Sequence, residues 1–157
     1  MSFGCSRNGC TLLKINNCMT NNRNKLSVKD ICGMYAFLCE YEKDIKPKAG
    51  HYHIQDDSIK TFLSNNSIFI GTINKPTLRK NYIRYDLRSG KTVSLDDVGH
   101  HILQHIRNAI AHGMVVKAKG SYFEFSDINS KQTITARARI KVELFWQLIS
   151  LIKQTYR

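Results

Sequence analysis

The segment from Ser94 to Gly113 carries the strongest helix signal in the chain and constrains the fold most. Ser94 is a favoured N-cap, Asp97 follows at the third helical position, and Gly113 is typical of a helix end. At about 100° per residue, one sector of this helix is apolar and should face a core. That sector contains Leu95, Val98, Ile102, Ile106, Ala109 and Ile110. A polar stripe on one flank contains His101, His105, Asn108 and His112. The sequence therefore predicts an amphipathic helix over residues 94–112.

The other patterns predict a mainly α fold, a small helical bundle with a β-hairpin inserted before its last helix. A capping-box pattern at Ser27 and Asp30 starts a helix that should run to about Lys46, where Pro47 ends it. The apolar stripe of this helix, expected to face the core, contains Val28, Ile31, Tyr35, Leu38 and Cys39. Further helices are predicted over 57–64 and 141–154. Alternating side chains in 122–125 and 133–135 predict the hairpin or a small meander.

One domain-level boundary follows from composition. Residues 1–25 are rich in Asn, Ser, Thr and Lys and are expected to form a loosely ordered arm, whereas residues 26–157 form one folded domain. Within that domain, residues 68–70 are predicted to be a buried turn or a short extended piece. Residues 75–91 are predicted to be a basic connection of turns with at most one helical turn.

The charge balance favours a polyanionic partner. The chain has 24 Lys and Arg against 12 Asp and Glu, a formal net charge of +12, and nucleic acid is the commonest partner of such proteins. The alternative is that the charge serves only colloidal solubility. The residues expected to contact substrate are Arg79, Lys80, Arg84 and Arg88 in the basic connection, and His105 on the polar stripe. Tyr82 and Tyr85 are candidates for stacking on bases, with ordinary surface packing an equal alternative.

Cysteine usage and hydropathy place the chain in the cytoplasm, away from membranes. The five cysteines, an odd number, indicate reduced thiols; they are Cys5, Cys10, Cys18, Cys32 and Cys39. No apolar run approaches the roughly 20 residues that a membrane span needs. The spacings of Cys5, Cys10 and Cys18 match no usual zinc site. His101 and His105 have a spacing that can hold zinc, but no third ligand is obvious unless His51 or His53 supplies one in space. The sequence therefore predicts no metal and no cofactor.

The last turns of the central helix combine two groups suited to phosphodiester chemistry. Arg107 can clamp a phosphate, and His112 can move a proton near neutral pH. On the helix they lie about 140° apart, so one copy cannot close both on one phosphate. They would converge if a second copy packed against the sector of Gln104, Asn108 and Ala111. The expected assembly is a homodimer through the helix 94–112.

The sequence Arg107-Asn108-Ala109-Ile110-Ala111-His112 resembles the R-x4–6-H motif of HEPN domains, including the polar residue after the arginine. With Gly113, a hairpin and a closing helix after it, the arrangement is similar to plasmid- and phage-defence-type HEPN nucleases. The resemblance implies an all-helical HEPN-like domain over residues 26–157. It further implies a metal-independent endoribonuclease that works as a homodimer.

Each motif residue takes a role through this resemblance. His112 would be a general base or acid at the ribose 2′-hydroxyl, Arg107 would stabilise charge on the phosphate, and Asn108 would orient His112 or hold the phosphate. The products would be a 2′,3′-cyclic phosphate and a 5′-hydroxyl. Such an enzyme would be a toxin or defence effector, with an antitoxin or inhibitor as a further partner.

Three alternatives remain at this level. The first is a non-catalytic HEPN module that binds RNA or a protein partner. A basic DNA-binding regulator is more distant, since no helix-turn-helix spacing is present. Taken singly, Arg107 could lie along the protein surface or pair with an acid, and His112 could simply complement the helix dipole.

Overall fold

The computed structural model describes residues 23–48, 51–86 and 98–157. They form an α/β fold with four α-helices and one six-stranded sheet. The prediction of a mainly α bundle is therefore wrong. The helices are α1 (Val28–Glu40), α2 (Asp57–Asn65), α3 (Val98–Ala111) and α4 (Val142–Gln154). The strands are β1 (Arg23–Asn24), β2 (Ile68–Thr72), β3 (Asn81–Tyr85), β4 (Val115–Ala118), β5 (Tyr122–Ile128) and β6 (Ile134–Lys141).

The sheet is mixed, with strand order β1-β4-β5-β6-β3-β2. Strands β2 and β3 are parallel, whereas the other neighbouring pairs are antiparallel. Strands β4, β5 and β6 form the meander that the alternating pattern predicts. The bundle prediction fails because β3 adds to the free edge of β6 and β2 adds to β3. The predicted hairpin is thus the middle of a sheet.

Strand β3 lies in the segment predicted to be a basic loop. Its residues alternate, because Ile83 and Tyr85 are buried while Tyr82 and Arg84 are partly exposed. This is the pattern of an antiparallel strand with one solvated face, on which cations are tolerated. The many basic residues around β3 made the alternation of buried and exposed side chains hard to recognise from the sequence. Strand β2 confirms the extended alternative for residues 68–70.

The helices cover one face of the sheet. Asp127 of β5 bonds His105 of α3, and Phe123, four residues earlier on the same face of β5, packs edge-on against Phe145 of α4 at 5.3 Å between ring centroids. Lys117 of β4 pairs with Phe123 in register and reaches Asp30 of α1. The structure is therefore a two-layer fold, and the described residues place helices α1, α3 and α4 on the same side.

Helix α1 begins as predicted but buries a different face. The capping box at Ser27 and Asp30 is present, and the helical backbone continues through a π-turn (Tyr41–Ile45) into a 3-10 turn (Lys46–Lys48) that contains Pro47. The predicted core stripe is largely in solvent, with Val28 77% and Tyr35 70% exposed. The buried residues are Asp30, Met34, Phe37, Tyr41 and Ile45. Both sets have helical spacing, and the surface against which the helix packs decides which set is buried.

The other elements match their predictions closely. Helix α2 covers the predicted 57–64, and α4 covers most of 141–154. In α3 the predicted apolar sector is buried at Ile102, Ile106 and Ala109, but His105 is buried as well. Ser94, Leu95, Asp97 and the first 22 residues of the predicted N-terminal arm lie outside the described residues. Arg23 and Asn24, the next two residues, pair with β4.

Gly113 ends α3 as predicted, through a hydrogen-bonded C-terminal motif. The N–H of Gly113 bonds the carbonyl of Ile110 at 3.0 Å, and the N–H of Met114 bonds that of Ala109 at 2.8 Å. This pair of bonds is a Schellman motif, in which Gly113 takes the left-handed position with φ of +66°. His112 is consequently fixed as the last residue before the turn into β4.

Replacing Gly113 tests this helix end. A Cβ at this position would meet nothing within 4 Å, so the strain of φ +66° is the main penalty. We expect Gly113→Ala to lower the free energy of unfolding by about 1–2 kcal/mol, the usual cost of a left-handed residue. Gly113→Asn should lower it less, because asparagine tolerates this conformation. Urea unfolding measures both, and an alanine variant as stable as wild type would contradict the assignment.

Candidate active site

The motif residues lie along the C-terminal half of α3 and just beyond it. Arg107 has a side chain that is 33% exposed, Asn108 is partly exposed, and His112 is exposed at the helix end. The N–H of His112 still bonds the carbonyl of Asn108 at 2.9 Å, so the backbone around it is helical in its bonding. The motif is therefore on the protein surface, where a ligand can reach it.

A continuous chain of hydrogen bonds connects Arg107 with the protein interior. Arg107 Nη1 donates to Asn108 Oδ1 at 3.2 Å, and Asn108 Nδ2 donates to Asp127 Oδ2 at 3.2 Å. The same carboxylate oxygen lies 2.7 Å from His105 Nδ1. Asp127 and His105 are buried, at 6% and 5% exposure. The buried Asp127 therefore holds Arg107 in position through Asn108.

On its other side Arg107 pairs with a surface carboxylate. Arg107 Nη2 lies 2.5 Å from Glu42 Oε1, and Glu42 Oε2 accepts a hydrogen bond from Lys46 at 3.0 Å. Glu42 belongs to the π-turn after α1, so this pair also joins the first helical segment to α3. The hydrogen bonds from Lys46 and then Arg107 lower the pKa of Glu42 below its ordinary value. Glu42 therefore stays ionised at neutral pH and balances part of the arginine charge.

The protonation of the buried pair follows from its bonding. Burial acts to raise the pKa of Asp127, but the hydrogen bonds from His105 and Asn108 outweigh it and leave the pKa below the ordinary value. An ionised carboxylate only accepts hydrogen bonds, so His105 Nδ1 must carry a proton. The pair is a carboxylate that orients an imidazole, an arrangement that fixes the ring and its tautomer.

The structure does not bring Arg107 and His112 together in one protomer. Ideal helix geometry directs them about 140° apart, and no hydrogen bond or ion pair involves the His112 imidazole among the described residues. Asn108 bonds Arg107 and Asp127, so its two polar side-chain atoms are both used away from His112. The arrangement makes Asn108 a positioning residue for Arg107.

The predicted substrate contacts are dispersed. Arg79 Nη1 bonds the carbonyl of Ile68 at 3.0 Å, Lys80 is exposed beside it, and Arg84 lies on the sheet face opposite α3. Arg88 lies outside the described residues. His105 is buried, and the structure places it behind the motif, where direct contact with substrate is blocked.

Sequence reasoning missed Asp127 and Glu42. Asp127 had a usable signal, since it continues the inward-facing alternation of Phe123 and Phe125 on β5. A carboxylate at a core position of a strand needs a buried partner, and the polar face of α3 could supply one. Glu42 had a weaker signal, as the residue that interrupts the predicted apolar stripe of the first helix.

Other site types and comparisons add little. Within residues 23–48, 51–86 and 98–157, no three His, Cys, Asp or Glu side chains are grouped so that they could hold a metal ion. None of the helices in these ranges is long and apolar enough to cross a bilayer. No family model matches the chain, and searches of curated proteins and of solved structures give no match either. Function must therefore be argued from the chemistry of the site.

The buried carboxylate generates a pH-dependent prediction. Because the pKa of Asp127 is lowered on folding, its ionised form stabilises the protein above its ordinary value of 3.8, and this contribution is lost as the pH falls through the lower folded value. We expect Asp127→Asn to lower the free energy of unfolding by about 1–3 kcal/mol at pH 7, and by progressively less as the pH falls below 3.8. Thermal or urea unfolding between pH 7 and pH 3 measures this difference.

Asp57→Asn is the matched control for this experiment. Its carboxylate is 99% exposed and forms a single 3.6 Å ion pair with Lys60. Its removal should leave the unfolding free energy unchanged at both pH values. A loss for Asp127→Asn that is equally large at pH 3 would show that the carboxylate charge is not what stabilises this network.

Proposed function

We propose that the protein is a metal-independent endoribonuclease that uses Arg107 and His112 from two copies of the chain. The observation that carries the proposal is the hydrogen-bonded chain from Asp127 through Asn108 to Arg107, which holds a cation at the surface two turns or less from an exposed histidine. The resemblance of residues 107–112 to the HEPN motif and the net charge of +12 support the same chemistry.

The proposed reaction is a transesterification followed by product release. His112 accepts the proton of a ribose 2′-hydroxyl, and O2′ attacks the adjacent phosphorus while the P–O5′ bond breaks. The departing 5′-oxygen takes a proton from solvent, and His112 returns the proton it accepted to solvent. The products are a 2′,3′-cyclic phosphate and a 5′-hydroxyl end, and no electron or water is consumed in this step. Proton transfer by a positioned imidazole typically contributes 10²–10⁴-fold in rate.

Arg107 contributes electrostatic stabilisation in a fixed position. Two of its N–H groups are used in the bonds to Asn108 and Glu42, so three of its five donors remain for a phosphate. Charge grows on the non-bridging oxygens during attack, and a cation that is already oriented needs no reorganisation at that moment. The bonds to Asn108 and Glu42 supply that orientation.

In this proposal a second copy of the chain brings Arg107 and His112 close to each other. The face of α3 between Arg107 and His112 carries Gln104, Asn108 and the exposed Ala111. Packing two such faces about a two-fold axis would bring the Arg107 of one copy towards the His112 of the other. Deoxyribose lacks the attacking hydroxyl, so DNA is not cleaved by this mechanism. In a cell such an enzyme would act as a toxin or defence effector and need an inhibitor.

A non-catalytic RNA-binding module is the second candidate. It is favoured by the fold, which differs from the all-helical domain that the motif resemblance implies. It is also favoured by Glu42, which occupies one side of the Arg107 guanidinium. This module would bind RNA and leave it intact.

A cleavage assay in EDTA separates the two candidates. We expect the wild type to produce cyclic-phosphate ends from single-stranded RNA in EDTA, and His112→Ala and Arg107→Ala to be about 10²-fold slower or worse. His51→Ala is the matched control, because His51 is an exposed imidazole that bonds the carbonyl of Arg157. RNA that the wild type binds and leaves uncut would identify the binding module.

Mixing the two inactive variants tests the shared site. If each site combines Arg107 of one copy with His112 of the other, a mixed dimer of Arg107→Ala and His112→Ala has one complete site. Statistical mixing by co-expression should then restore about one quarter of the wild-type activity, since half the dimers are mixed and each has one of two sites. No restoration in proven mixed dimers would show that both groups act within one protomer.

A further inference from the structure

The sheet face that the helices leave open combines cations and aromatic rings. On β6, Arg137, Arg139 and Lys141 alternate with the buried Ala136, Ala138 and Ile140, so the basic residues point away from the helices. The register places Tyr82 and Glu124 on either side of Arg139, and Arg84 and Ser126 on either side of Arg137. Tyr122 pairs with Lys141 on the same face. We call the set of Tyr82, Arg84, Tyr122, Arg137, Arg139 and Lys141 the outer face.

Two arginines of the outer face lie over its tyrosine rings. The Arg139 guanidinium lies 4.5 Å from the centre of the Tyr122 ring, and that of Arg84 lies 5.2 Å from the Tyr82 ring. All four side chains of these pairs are partly exposed to solvent. Nucleobases stack on exposed aromatic rings and on guanidinium planes in the same way.

The outer face has more positive charge than its own residues balance. Arg84 and Arg137 lie directly opposite each other, an arrangement of like charges that destabilises a sheet. Glu124 is the acidic residue among them, and its oxygen lies 3.6 Å from Arg139 Nε, beyond hydrogen-bond distance. The Nε atoms of Arg84 and Arg139 are both buried without a hydrogen-bond partner. Anions bound on this face would balance its excess positive charge.

We propose that the outer face binds single-stranded nucleic acid, with bases stacked on Tyr82, Tyr122 and the guanidiniums, and phosphates contacted by Arg84, Arg137 and Lys141. Charge complementarity and the paired planar groups identify the ligand class, because a duplex hides its base faces and offers none for stacking. The site is separate from the Arg107–His112 motif, which lies on α3 across the sheet. It therefore stands whether or not the chain cleaves RNA.

Binding to single-stranded DNA tests this proposal without cleavage. A fluorescent oligodeoxynucleotide is titrated with the full chain, and anisotropy gives Kd. We expect Tyr82→Leu and Tyr122→Leu to raise Kd about fivefold to 100-fold each, as expected for the loss of one stacked base, and Tyr82→Phe and Tyr122→Phe to retain binding. A duplex of the same sequence should bind more weakly than the single strand. Equal affinity of the Leu and Phe variants would overturn the stacking role.

A second pair of substitutions, one on the outer face and one on α2, tests the contribution of charge to binding. Arg137→Gln should weaken binding and reduce the salt dependence of log Kd by close to one phosphate contact. Lys60→Gln removes the same charge from α2, where Lys60 pairs with Asp57, and should leave Kd and its salt dependence nearly unchanged. Equal effects of the two substitutions on Kd, with unfolding temperatures unchanged, would show that only the net charge of the protein attracts the nucleic acid. That result would refute a site on the outer face.

Discussion

The structure depends on one buried carboxylate. Asp127 is on the inner face of β5, and by bonding His105 and Asn108 it fixes the rotation of α3 against the sheet. A buried charge is tolerated only when its lone pairs are satisfied, so α3 cannot turn or slide without leaving Asp127 unpaired. The apolar contacts around it would allow several nearby packings of a helix on a sheet, whereas these two hydrogen bonds allow one. The same rotation of α3 determines the direction in which its exposed face, with Arg107 and Asn108, points.

The same alternation that buries Asp127 creates the outer face. Because successive residues of a strand point to opposite sides, Phe123, Phe125 and Asp127 face the helices while Tyr122, Glu124 and Ser126 face away. With all the described helix contacts on one side, basic residues collect on the other, where cations stay hydrated. The net charge of +12 is thus partly concentrated on one flat surface. The fold separates a surface suited to stacking from the helix end that carries the proton-transfer motif.

Local signals in the sequence predicted local structure well. The capping box at Ser27, the Gly113 helix end and the short helix over 57–64 each depend on a few neighbouring residues, and each is confirmed. The fold class was wrong because β2 and β3 become strands only by pairing with β6 and with each other, a long-range event that leaves a weak local trace. The buried face of α1 was wrong because two faces have helical spacing, and the partner surface decides between them. The Arg107–His112 motif was found from sequence, but its anchor at Asp127 requires knowing that β5 packs under α3.

The two partners of Arg107 differ in strength, and in the reaction proposed above this difference suits a residue that binds a phosphate. Asn108 is held by the buried Asp127, so its bond to Arg107 persists when the surface changes. Glu42 is exposed, and an ion pair of that kind contributes little because water screens it. An incoming phosphate can therefore displace Glu42 at small cost while the guanidinium keeps its anchored side. Before substrate arrives, Glu42 prevents the cation from pairing with other anions, and afterwards the same carboxylate stays bonded to Lys46. In this proposal Asp127 and Asn108 fix the position of Arg107, whereas Glu42 is a partner that a phosphate can replace.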